Sequence, residues 1–298
     1  MTEVSVLIPA RNERFLNQTI QEARTKAAGQ VEVIVCLDGA PPVEELPADV
    51  VTIVKDKSEG LGAATWDMAQ IATGQYVLKL DAHCSLAEGY DDILLREARP
   101  KRLQVLSRYQ LKASEWRRGH GPSQYLYMTY PWLCDSSYGC GMHSTKWLGD
   151  DGLQGDYFKR ERDLRGLSVD EVMTFQGSMW FIERDYFVAL GGIEREYILH
   201  QEATTIGMKV WLSGGECVVN KDSWYAHLFK GKRFGGFRLN KGNINALNRV
   251  AAERWMNDQW DSPMRVRDMR WYVEHFWPIP GWPADWADPH YQAEFVWP

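Results

Sequence analysis

QYVLKLDAHCSL, residues Gln75 to Leu86, is the stretch on which the reading of the fold turns. Tyr76, Val77, Leu78 and Leu80 form a short apolar run, the mark of a buried strand. The run ends abruptly in Asp81-Ala82-His83. Asp81 and His83 are two apart, so on an extended chain their side chains point the same way. A carboxylate and an imidazole on one face at the end of a buried strand suit a divalent cation. The same tripeptide also suits a strand end that turns with Asp and buries a hydrogen-bonded His, and its context has to separate the two readings.

On the N-terminal side the context is regular. Val4 to Ile8 reads as a buried strand ending in Pro9-Ala10-Arg11-Asn12-Glu13. Phe15, Leu16, Ile20, Ala23 and Ala27 then recur at helical spacing, and Gly29 stops the helix. Val31 to Leu37 is a second strand ending in Asp38-Gly39, Val50 to Val54 a third, and Gly60 to Ala72 a helix closed by Gly74. An acidic helix near Glu88 to Arg99 follows the central strand. Strand and helix alternating at this spacing predict a parallel, doubly wound α/β sheet. Such sheets bind ligands beyond the carboxyl ends of their strands, where Asn12, Asp38 and Asp81 all fall.

On the C-terminal side the pattern weakens from Lys112 to Asp163, an irregular stretch of the kind that forms substrate loops or mere surface excursions. Order returns with a strand at Phe175 to Ile182 and a helix in ERDYFVAL. A further helix is expected at Glu202 to Leu212, short strands at Cys217 to Val219 and Trp224 to Leu228, and a helix at Ile244 to Trp255. Seven of the fourteen Trp lie between Trp255 and Trp297, in a Pro-rich tail for which no regular structure is expected.

With 298 residues, 45% of them apolar, one large domain or two small ones can each bury a core. The net charge of −6 argues against a general binder of nucleic acid or anionic membranes. The charge is uneven, however: Lys230 to Arg270 holds ten Lys/Arg against four Asp/Glu. Five Cys with no Cys-x-x-Cys fit reduced thiols in a cytosolic protein. No apolar signal segment precedes Val4, and no run approaches the ~18 apolar residues of a membrane span.

Together these pieces resemble a nucleotide-sugar glycosyltransferase of the GT-A fold, closest to the polypeptide N-acetylgalactosaminyltransferases and more widely to the family-two transferases. VSVLIPARNE resembles the family's first strand and Asn-Glu turn, VEVIVCLDG its second strand with the uracil-side Asp, and KLDAHCS its Asp-x-His metal motif. GSMWFIERDYFVALGG and HQEATTIGMKVWLSGGECVVNKDSWYAHLFK resemble its acceptor half. The likeness covers about residues 3–100 and 172–232. It implies a mixed, mostly parallel sheet with helices on both faces. It also implies a GT-A domain over 1–232, with a nucleotide half at 1–110 and an acceptor half at 111–232. A basic, Trp-rich extension over 233–298 would pack on that domain.

The resemblance supplies a third metal ligand, His227 in AHLFK, to join Asp81 and His83 around one Mn2+ (or Mg2+). It implies a UDP-sugar donor held by Pro9, Ala10, Arg11, Asn12, Glu13, Asp38 and Gly60. Lys230 and Arg233 would cover the diphosphate, and Asp81 and Glu202 would be the catalytic carboxylates. Departures leave the donor and the stereochemical course open. Ser58 stands where the retaining family has an Arg, Ala63 and Thr65 stand at further arginine positions, and Glu202-Ala203 replaces the Glu-Asp of inverting enzymes. Glu202 then orients the acceptor or serves as base; a helix N-terminal Glu favoured by the dipole is the plain alternative.

The basic segment also fits three uses: covering a diphosphate, stacking and phosphate contacts with a nucleic-acid strand through Phe234 and Phe237, or an ordinary solvated face. The acceptor is thus a hydroxyl compound, or alternatively hydroxymethyl-pyrimidine DNA as in phage-type enzymes. A non-catalytic nucleotide-sugar-binding module is the alternative of another class. A cytoplasmic setting, the host's if viral, is expected.

Overall fold

Strand β1 (Val4–Ala10) is buried at almost every position because it lies between two parallel neighbours, β2 (Val31–Asp38) and β4 (Tyr76–Leu80). Strand β3 (Val51–Lys55) extends this parallel set beyond β2 and is mostly exposed, as an edge strand can be. Alternation along the strands splits the core in two. Leu7, Ile34, Cys36 and Val77 join one apolar cluster; Val6, Ile8, Val33, Val35 and Leu78 join the other. Helix α1 (Leu16–Thr25) buries Leu16, Ile20 and Ala23 in the second cluster, and α2 (Leu61–Ile71) buries Ala64, Met68 and Ala69 in the first. The two crossovers therefore cover opposite faces of the sheet, as doubly wound topology requires.

This computed structural model describes residues 2–132, 134–135, 139–146, 166–193, 202–230 and 241–287. After β4 come β5 (Cys84–Leu86), α3 (Tyr90–Arg96), β6 (Arg102–Lys112) and β7 (Arg117–Arg118). Then follow the short strands β8 (Leu126–Met128), β9 (Cys134–Asp135), β10 (Gly139–Cys140), β11 (Ser144–Lys146) and β12 (Val169–Glu171). The chain continues through β13 (Met179–Glu183), α4 (Arg184–Ala189), α5 (Glu202–Leu212), β14 (Glu216–His227), α6 (Lys241–Met256) and α7 (Met269–His275). The main sheet runs β12-β14-β6-β13-β4-β1-β2-β3, with β5 and β7 paired at its side. Strand β13 is antiparallel to both β4 and β6, whereas β6 and β14 are parallel. The sheet is thus mixed and mostly parallel.

Two expectations are corrected in the second half. The segments at Cys217 and Trp224 belong to one twelve-residue strand, β14, whose register against β6 shifts between Asn220 and Trp224. The Trp-rich tail contains a helix, α7, whose cap Asp268 accepts the Trp271 amide hydrogen at 2.8 Å. Met269, Tyr272, Val273 and Phe276 recur at helical spacing and are all buried. They join Trp255, Trp260 and Trp282 in the cluster that holds Trp211 and Phe187. The described part of the C-terminal segment therefore completes the main core, which explains why so many large aromatic residues are there.

Candidate active site

Three strand ends build the site. Strand β4 stops at Leu80, and the Asp81 amide still donates to the Ser178 carbonyl at 2.9 Å. The chain then turns tightly, with the His83 amide donating to the Asp81 carbonyl at 2.8 Å, before β5 begins. Asp81 and His83 are therefore brought together by a turn, not by an extended strand as their spacing predicts. The third residue arrives through register: β14 pairs antiparallel with β5 so that His227 faces Cys84, and the Leu228 amide donates to the His83 carbonyl at 3.1 Å.

The side chains converge. One ligand atom from each of Asp81, His83 and His227 lies within 4.8 Å of the other two. His227 Nε2 is 3.0 Å from His83 Nε2 and 3.2 Å from Asp81 Oδ2. Burial pushes the His227 imidazole down to about 4 despite its hydrogen bond to Asp81, so it is neutral and has a lone pair to give near pH 7. Burial alone would raise the Asp81 carboxyl, but Lys79 and then His227 outweigh it and hold Asp81 below the usual carboxylate range. An ionised carboxylate and two imidazoles meeting at one point fit a divalent transition-type cation better than calcium, which prefers oxygen throughout.

Under this cluster lies a residue that the sequence reading passed over. Lys79 is fully buried, and its Nζ donates to Asp81 Oδ1 at 2.6 Å, the Gly177 carbonyl at 2.7 Å and Glu202 Oε2 at 2.9 Å. All three ammonium hydrogens are thereby used. Burial would lower the lysine, but Asp81 and Glu202 outweigh it and raise it above its usual value. Glu202 is 3% exposed, and its other oxygen accepts from Trp180 Nε1 at 2.8 Å. Burial pushes its carboxyl up to about 7, with Lys79 opposing and Asp81 adding to the rise. A Cβ at Gly177 would sit 2.8 Å from Glu202 Oε2 and 3.2 Å from its Cδ, so a larger residue there would displace this carboxylate. A lysine inside an apolar strand run, two residues before Asp81, was the available signal for this network.

The remaining candidates divide. In the turn after β1, Pro9 and Ala10 end the strand, and Arg11 and Asn12 are exposed. Asn12 takes φ +53°, a left-handed conformation that Asn tolerates better than most residues. Glu13 turns inward: Oε1 takes a hydrogen bond from Lys230 Nζ, and Oε2 lies 3.3 Å from His83 Nδ1. Burial raises Glu13, yet His83 and Lys230 together bring it below its usual value. Asp38 is buried and accepts from Ser58 Oγ at 2.6 Å and from the amides of Glu59 and Gly60 at 2.8 and 3.0 Å. It thus closes the loop that opens α2. Asp38→Ala strands two backbone donors and should cost about 1–3 kcal/mol of stability, read by urea denaturation. Arg233 lies outside the described residues, as do Phe234 and Phe237.

The basic segment is partly neutralised where it is described. Arg249 pairs with Glu253, Arg265 with Asp258 and Arg270 with Glu274. Cys36, Cys84 and Cys217 are free and buried. No helix among the described residues is long and apolar enough to cross a membrane.

The chain is similar to several known proteins. Polypeptide N-acetylgalactosaminyltransferase 5 of Caenorhabditis elegans is 25% identical over 212 residues, covering 68% of this chain and 31% of that protein. Polypeptide N-acetylgalactosaminyltransferase 3 of Homo sapiens is 27% identical over 217 residues, 70% of this chain and 32% of that protein. The chain therefore spans about a third of the length of these relatives. The crystal structure of GalNAc-T7 with UDP, GalNAc and Mn2+ superimposes with a TM-score of 0.67 at 18% identity, over 93% of this chain and 56% of that one. Its likeness shows that the fold is GT-A. The family model described as Glycosyl transferase family 2 matches residues 5–187, more than half of the 298 residues, and the chain belongs to that family.

Proposed function

We propose that this chain transfers a sugar from a UDP-sugar to a hydroxyl acceptor, with Mn2+ (or Mg2+) held by Asp81, His83 and His227. The observation that carries the reading is the convergence of those three side chains beyond the carboxyl ends of the sheet. The names of the relatives support it, as does the solved neighbour with UDP and Mn2+. When bound, the ion supplies Lewis-acid stabilisation of the charge that grows on the leaving diphosphate.

The chain's own residues do the rest. The turn from Pro9 to Glu13, Asp38 and Gly60 stand at the ends of β1 and β2 and the start of α2, where a nucleotide would lie. Lys230, and Arg233 after it, would meet the diphosphate. Asp81 keeps Oδ1 on Lys79, which leaves Oδ2 on the side of the two imidazoles. Glu202 acts here as the counterion that holds Lys79 in place.

Release of UDP from a panel of UDP-sugars should require Mn2+ or Mg2+ and stop with EDTA. Release that continues in EDTA would contradict the reading. The acceptors tested should include peptides, glycans and, for the alternative reading, DNA bearing hydroxymethylated pyrimidines. If DNA is the acceptor, its binding should fall steeply with salt as counterions are released. Flat or absent binding at low salt would remove DNA from consideration.

A further inference from the structure

Glu13 joins the metal cluster in a way that its place in a donor-side turn does not explain. Its side chain is only 10% exposed, and its two oxygens have different partners from distant parts of the chain. Oε1 accepts from Lys230 Nζ, three residues beyond His227. Oε2 lies 3.3 Å from His83 Nδ1, and these two buried atoms, facing each other, have no hydrogen-bond partner elsewhere among the described residues and do not meet hydrogen-bond geometry with each other. Nδ1 and Nε2 are on different sides of the imidazole. Glu13 therefore approaches His83 from behind, while Nε2 faces His227 Nε2 at 3.0 Å.

We propose that Glu13 is the positioning residue of the metal centre: its carboxylate accepts the Nδ1 hydrogen of His83, so that the Nε2 lone pair points at the ion. This rests on the metal reading of Asp81, His83 and His227. An imidazole carries one hydrogen when neutral, and the partner of one nitrogen decides which nitrogen keeps it. A carboxylate behind a ligating histidine fixes both the tautomer and the ring orientation. Lys230 balances the charge of a carboxylate that would otherwise be buried alone, and it holds Oε1 so that Oε2 stays on His83. The same pair ties the chain just after β14 to the turn after β1. The two ligand-bearing strand ends, β4–β5 and β14, thus share a brace from β1. Glu13 is not itself a ligand in this arrangement, because the His83 ring stands between it and the cluster.

The test measures Mn2+ affinity by calorimetric titration in wild type, Glu13→Ala and Glu13→Gln, beside the urea midpoint of each. Long-range proton–nitrogen spectra of the metal-free, histidine-labelled protein report the tautomer of His83. Wild type should show the hydrogen on Nδ1. Glu13→Ala should weaken Mn2+ binding by about 10- to 100-fold, the usual loss when an outer partner of a metal ligand is removed. Glu13→Gln keeps an acceptor for His83 and should recover most of that loss. A merely structural Glu13 would move the urea midpoint and leave affinity and tautomer alone. Wild-type binding with unchanged affinity in Glu13→Ala, or a wild-type His83 with its hydrogen on Nε2, would overturn the positioning role alone. No Mn2+ binding by wild type would overturn the metal reading and the role together.

Discussion

His227→Ala should abolish Mn2+ binding and with it the transfer of sugar, while the protein stays folded. His227 ends β14, and its backbone pairing with Cys84 does not need the imidazole. The side chain contributes one of the three donors that converge in the cluster among the described residues. Loss of outer partners already costs metal sites about 10- to 100-fold in affinity, so loss of a ligand should exceed that. Two readouts are required. Thermal stabilisation by Mn2+ should be clear in wild type and vanish in the variant, because a ligand raises apparent stability only as far as it binds the native state. UDP release should fall with it. A variant that Mn2+ stabilises as well as wild type would remove His227 from the ligand set.

The second large effect belongs to Lys79. Its ammonium is the buried link between Asp81 and Glu202. Lys79→Met leaves two carboxylates close together without their shared cation. Removing one partner of a buried ionic group commonly costs about 3–5 kcal/mol. The loss should appear in the urea midpoint. The double variant Lys79→Met with Glu202→Gln relieves one of the stranded charges and should recover part of it, a coupling that a double-mutant cycle isolates. Additive losses would show that the two side chains do not act as a pair.

Glu202 should also make stability depend on pH. Its carboxyl is raised from 4.5 to about 7 in the folded protein. Between those values the native state keeps a proton that the unfolded chain has lost. This contribution is fully present below pH 4.5 and is lost as pH rises through about 7. Glu202→Gln should flatten that fall, measured by urea denaturation across the window. An unchanged slope would mean that another group causes it.

Much of this was legible in the residues themselves, for physical reasons that differ from place to place. The parallel half could be read because β1, β2 and β4 are largely apolar runs, each broken by one polar residue (Ser5, Glu32 and Lys79), that end in polar turns, as strands buried on both faces commonly do. Asp81 and His83 stood out for the same reason. Their juxtaposition was right although the chain turns between them, because turn and strand alike leave both side chains at the sheet's end. His227 was not legible alone. It is brought to the site by β14–β5 register, which no local pattern encodes, and only the family likeness pointed to it. Lys79 was hidden by counting the apolar residues around it, when a buried lysine was itself the signal. Glu13 was placed with the nucleotide turn, and its contacts with His83 and Lys230 depend on three distant segments meeting. Helix α7 was missed because Trp and Pro suggested irregularity, while Asp268 and the spacing of Met269, Tyr272, Val273 and Phe276 already marked a capped amphipathic turn.

The most direct measurement is diffraction from crystals grown with Mn2+ and UDP, recorded where manganese scatters anomalously. The expected result is one anomalous peak bonded by Asp81 Oδ2, His83 Nε2 and His227 Nε2, with diphosphate oxygens completing its shell. UDP bound at the sheet's end with no such peak, or a peak held by other residues, would contradict the assignment of the site.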